Sequence, residues 1–135
     1  MINKKRIKKV NWSLFSIYLV LGVLTAIVSY LDLSNASQAE MTRSQSRIEF
    51  GWNDASRNLG LFLLLFSVLL IIYWKKLFPF NVPIAIILMG FYFELFFLVY
   101  FTGWVGIQGA LGLIIALLTG IIMIIIYGIL RVMKK

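Results

Sequence analysis

The chain has 135 residues, of which 61% are hydrophobic and 13% charged, with a mean hydropathy of +0.95 and a net charge of +8. A soluble fold of this size leaves too much surface exposed to hide that apolar content, so lipid has to cover the excess. The chain has neither Cys nor His, which excludes disulfides, thiol nucleophiles and the usual acid/base near neutral pH. The basic residues gather at the ends of apolar segments, where orientation signals sit, so they argue against nucleic-acid binding.

Taken in chain order, the first element is a basic leader, Lys4 to Lys9, followed by an apolar helix over about 12–31. This start resembles a secretory signal, with Ser37-Gln38-Ala39 as a cleavage-like site. Its apolar run is about 20 residues, longer than the ~7–15 of a signal core, so an uncleaved span is expected. A polar exterior loop follows over 32–56. Ser37 to Glu40 and Ser46 to Glu49 match the spacing of a helix capping box. Phe50 and Trp52 are placed to dip into headgroups, and Asp54 is placed to cap the next helix.

The second span is expected over about 57–74, the third over 84–101 opened by Pro83, and the fourth over 107–130. Between the second and third, KKLFPFNVP holds Pro79 and Pro83 and should be stiff. A tight glycine-rich turn with Gln108 joins the third and fourth.

Orientation follows from the connecting charges. On one side lie Lys4, Lys5, Arg6, Lys8, Lys9, Lys75, Lys76, Arg131, Lys134 and Lys135; on the other lie Arg43, Arg47 and Arg57. Ten against three predicts that both termini are cytoplasmic. Trp12 and Trp74 fall at the inner interface, and Trp52 and Trp104 at the outer one. The expected fold class is therefore all-α: one polytopic domain, four transmembrane helices in an up-down bundle, in a bacterial inner (plasma) membrane.

Chemistry is sparse. Glu94 sits inside FYFELFF, and no Lys, Arg or His lies within any span to pair with it. Ionised and facing lipid it would cost about 2.5 to 3.5 kcal/mol or more, so it should turn into the bundle or stay protonated. Thr25, Ser67 and Thr119 lie at similar depth and are the expected partners for a neutral Glu94. Such a contact is a structural clasp on one reading and a proton or cation site on the other. The surrounding rings from Phe91 to Phe101 are wall material for a lipophilic cation, or ordinary lipid-facing bulk.

Small residues mark helix packing. Gly112, Ala116 and Gly120 share one face of the fourth helix, in line with Gly128; Gly22 and Ala26 make a shorter stripe in the first; Gly90 precedes Glu94 by one turn. No nucleophile with a base and no metal-ligand cluster is present, so neither catalysis, a cofactor nor a metal is expected.

Two functions fit. One is an accessory, regulatory or protective membrane subunit that contacts another membrane protein through its helices. The other is an oligomeric small transporter or channel, with copies of the chain as partners and Glu94 as the coupling carboxylate. In plan the chain is similar to the small multidrug resistance transporters, short four-helix chains with one membrane-embedded Glu. That family carries its Glu in the first helix, whereas Glu94 is in the third.

Overall fold

A computed structural model describes residues 4–133. Five helices account for most of the chain: α1 (Lys4–Asn35), α2 (Gln38–Ser44), α3 (Asp54–Tyr73), α4 (Asn81–Tyr100) and α5 (Ile107–Val132). Two short strands, β1 (Arg47–Ile48) and β2 (Phe101–Thr102), pair antiparallel, and a 3-10 turn over Gly103–Gly106 leads into α5. Four of the helices are long and apolar enough to cross a membrane.

The helices overrun the expected spans where polar ends can continue a hydrogen-bonded ladder. The 32 residues of α1 take in the basic leader at one end and Asp32 to Asn35 at the other. At 1.5 Å per residue this is about 48 Å, longer than the ~30 Å hydrocarbon core. Helix α4 starts at Asn81, not at 84, with Pro83 in its first turn, where a missing N–H costs no helical bond.

Helix α4 is central and touches α1, α3 and α5. Its closest neighbour is α5. A Cβ on Gly120 would lie 3.0 Å from the Pro83 carbonyl oxygen, one on Gly90 would lie 2.5 Å from the Ala116 Cβ, and one on Gly109 would lie 2.7 Å from the Phe97 Cβ. Small residues on both helices thus let the two backbones approach, and van der Waals packing does what apolar exclusion cannot do in lipid. Gly112 is equally tight, against the Phe93 ring, whereas Gly128 has open space. Two small cores result. One holds Val82, Ile86, Ala116, Met123 and Tyr127; the other holds Leu33, Phe97 and Phe101.

Helix α1 is peripheral and mostly exposed, but three polar rungs tie it to α5. Tyr127 donates to Asn11 Oδ1, the Tyr18 hydroxyl bonds Thr119 Oγ1, and Ser29 Oγ donates to Gln108 Oε1 at 2.7 Å. Asn11, Tyr18 and Ser29 lie about two and then about three helical turns apart, which puts them on one face. The rungs also gather the ends: Asn11 Nδ2 donates to the Pro79 carbonyl at 3.3 Å, so the start of α1, the α3–α4 turn and the tail of α5 meet at one basic end.

The segment 36–53 forms a cap at the opposite end. Ser37 does build the capping box of α2: its side chain accepts from the Glu40 N–H, and Glu40 accepts from the Ser37 N–H at 2.9 Å. Those Ser37 hydrogen bonds hold the Glu40 carboxyl below its usual range. Ser46 to Glu49 opens no helix of its own. Ser46 is buried and its Oγ accepts from the Val105 N–H, while Arg47 and Ile48 pair with β2 and Glu49 forms an ion pair with Arg47 at 2.7 Å. Asn53, not Asp54, caps α3, accepting from the Ser56 N–H at 2.8 Å; Asp54 instead pairs with Arg57 at 2.8 Å.

Gly103 closes this cap. Its φ is +78°, and a Cβ there would collide with the Gln45 carbonyl. Replacing Gly103 by Ala should cost about 1–2 kcal/mol from the left-handed backbone alone. The collision should also release β1 from β2. Faster amide exchange at Glu49 and Gly51, whose N–H groups now donate to Tyr100 and Val99, is the measurement.

Candidate functional site

Glu94 lies six residues before the end of α4 at Tyr100, about 9 Å along the axis from the cap. Its side chain points at α5: a Cβ on Gly109 would sit 2.6 Å from Glu94 Oε2. Gly109 is therefore what admits the carboxyl into the seam between the two helices, a role that spacing in the sequence did not single out.

Among the described residues, Glu94 Oε2 is a buried side-chain oxygen with no hydrogen-bond partner. The three hydroxyls expected to meet it are engaged elsewhere. Thr25 Oγ1 donates to the Leu21 carbonyl at 2.8 Å, within its own helix. Ser67 Oγ donates to the Leu63 carbonyl at 2.8 Å and lies 2.9 Å from the Tyr92 hydroxyl. Thr119 is a rung to Tyr18. In each case a nearer backbone carbonyl or phenol competes for the hydroxyl, and similar depth alone does not bring two helix faces together.

The aromatic run divides around the helix. Phe97 and Phe101 are buried and stacked, with centroids 4.9 Å apart, and Phe93 packs beside Phe97. Tyr92, Phe96 and Tyr100 are exposed, and Tyr100 meets Phe50 of the cap at 5.5 Å.

A groove of about 710 Å³ lies between α1 and the α4–α5 pair. Gly22, Ala26 and Gly112 form its small-residue walls, and Phe93 and Phe96 its aromatic ones; Thr25 and Gln108 supply polar groups, and Glu94 is not among its lining. Gly22 is 3.6 Å, measured from an added Cβ, from the Phe93 ring, so α1 touches α4 there.

The chain matches no family model, and no curated protein or solved structure is significantly similar to it. The geometry alone bears on function. Glu94 does not line the groove, although Gly90, one turn before it on α4, does.

One substitution tests Glu94 alone. Glu94→Gln keeps size and shape, and Oε2 has no partner to lose, so thermal stability in detergent should stay within about 0.5 kcal/mol. A loss above about 1 kcal/mol would show that the carboxyl holds the seam together.

Proposed function

We propose that this chain is a multi-pass plasma-membrane protein that acts as an accessory subunit, contacting another membrane protein through its helices. In this reading α1, α3, α4 and α5 form an up-down bundle with both termini cytoplasmic, supported by the sequence count of ten Lys/Arg on one side against three on the other, of which Lys134 and Lys135 lie outside the described residues.

The observation that carries the accessory role is the groove beside α1. It is apolar and is walled by Gly22, Ala26 and Gly112, the residue types that let a foreign helix approach closely. Only 6% of the apolar window of α1 is buried within the chain, so this helix has most of its surface left for lipid or a partner.

A second reading, an oligomeric transporter or channel with Glu94 as its coupling carboxylate, is favoured by the unpartnered Oε2. Against it, the residues lining the groove do not include Glu94, so a second copy would have to complete any path.

Purification of the tagged chain from its native membrane in mild detergent, followed by mass measurement and identification of bound proteins, tests both. A stoichiometric foreign membrane protein is the expected result, and Ala26→Leu in the groove should reduce its recovery. A homo-oligomer free of other proteins would overturn the accessory reading and favour transport.

A further inference from the structure

The basic end holds a second cavity, of about 390 Å³, where α1, the α3–α4 turn and the start of α4 meet. We propose that it binds the phosphate of an anionic phospholipid headgroup. The site would be occupied in the membrane whatever partner the groove takes.

Two lysines flank the cavity from different elements, Lys8 on α1 and Lys75 on the turn. Neither forms an ion pair among the described residues. Among the described residues no side-chain carboxylate is near to neutralise them. Asp32, Glu40, Glu49 and Asp54 lie at the other end of the helices, and Glu94 faces Gly109. Two uncompensated ammonium groups about one small cavity call for an anion.

The rest of the lining suits a phosphate at a membrane interface. Trp12 and Trp74 wall it with centroids 6.2 Å apart, and among the described residues neither indole N–H donates a hydrogen bond. Indoles prefer the headgroup level, where one edge is apolar and the N–H is wet. Asn81 and Val82 place the start of the 20-residue α4 against the cavity, adding the positive end of its dipole. The first-turn amides themselves are occupied, Val82 N–H by Asn81 Oδ1 at 2.9 Å and Ile84 N–H by the Phe80 carbonyl at 3.1 Å. The lysines and indoles therefore carry the contact.

The source is a lipid and not free phosphate because the cavity's walls run on into apolar surface. Trp12, Phe78 and Val82 line it, and the exposed faces beside it carry Ile17 on α1 and Ile71 and Ile72 on α3. Acyl chains can follow that surface while the headgroup stays between the lysines. Basic pockets between spans hold anionic headgroups by this combination of charge and apolar wall.

The test is native mass spectrometry of the full-length chain in detergent, titrated with dioleoylphosphatidylglycerol or dioleoylphosphatidylcholine. One phosphatidylglycerol should be retained at least about tenfold more tightly than phosphatidylcholine. Lys8→Gln with Lys75→Gln should weaken it by about thirtyfold, as expected for two interfacial lysines. Lys4→Gln with Lys76→Gln removes the same charge from the same end and should change it less than about twofold, being away from the cavity. Should the first pair not purify, Lys75→Gln alone on the exposed turn should weaken retention about fivefold.

Equal losses in the two pairs would overturn the site in favour of diffuse surface charge. Equal retention of both lipids would overturn it while leaving the membrane reading intact, and binding of neither would count against both. Displacement of phosphatidylglycerol by millimolar inorganic phosphate would overturn the lipid source.

Discussion

Replacing Gly90 by Leu is expected to push α4 away from α5 and to lower stability by about 3 kcal/mol or more. Gly90 is buried, and even its first added carbon would lie 2.5 Å from the Ala116 Cβ and 3.4 Å from the Leu113 Cα. Neither obstacle can swing aside, since one is a methyl on the opposing backbone and the other is backbone itself. Gly90→Ala should cost less than Leu, because the helix gains roughly 1 kcal/mol from losing a glycine and the added methyl needs the seam to open by only about 1 Å to reach ordinary contact.

The control is Gly128→Leu, on the α5 stripe that Gly90 packs against but with no atom within 4 Å of the added carbon. It should be neutral or mildly stabilising. Thermal unfolding in detergent, followed by helical circular dichroism and by elution volume, reads both variants. Equal effects at Gly90 and Gly128 would show that small residues here matter through propensity alone.

That contrast marks how far the small-residue pattern could be read. A spacing of four placed Gly112, Ala116, Gly120 and Gly128 on one face, but the face outruns its partner. Helix α4 begins at Asn81, and Gly120 already sits against Pro83, so no α4 backbone remains opposite Gly128. Gly109, one turn before Gly112, belongs to the seam and was hidden inside what reads as a glycine-rich turn. The four long helices were legible because about twenty apolar residues admit little else. Their ends were not, because Lys4 to Lys9 and Asp32 to Asn35 extend α1 by local hydrogen bonding that hydropathy does not register.

Polar partners were the least legible feature. Depth suggested that Thr25, Ser67 or Thr119 would meet Glu94, but depth is one coordinate and helix rotation is the other. The information on rotation was present in a different set of residues. Asn11, Tyr18 and Ser29 repeat at near-whole turns of α1, as do Gln108 and Thr119 on α5, with Tyr127 about 2.2 turns further on, and such repeats fix which faces meet. The β1–β2 pairing of the cap could not be read from two-residue strands, whose only signal is the requirement for glycine at Gly103.

The strongest consequence of that ladder is at its basic end. Asn11 is 1% exposed and serves three elements at once: it accepts from the Tyr127 hydroxyl on α5 and donates to the Pro79 carbonyl in the α3–α4 turn. Asn11→Leu is expected to cost about 1–3 kcal/mol, because it leaves a buried hydroxyl without an acceptor and a carbonyl without its donor. Tyr127→Phe removes only one bond and should cost about 1 kcal/mol, in line with single interhelical hydrogen bonds in bilayers. The double variant should cost less than the sum, since the phenylalanine no longer strands a hydroxyl against the leucine. Thermal unfolding of the four proteins in one detergent gives the coupling. Full additivity would mean that Asn11 and Tyr127 act separately, and that α1 is held at its basic end by the Pro79 contact and apolar packing alone. A coupling near 1 kcal/mol would make Asn11 the pin that joins α1 to α5. Since Asn11 also lines the cavity between Lys8 and Lys75, the same pin would set the distance between those two charges.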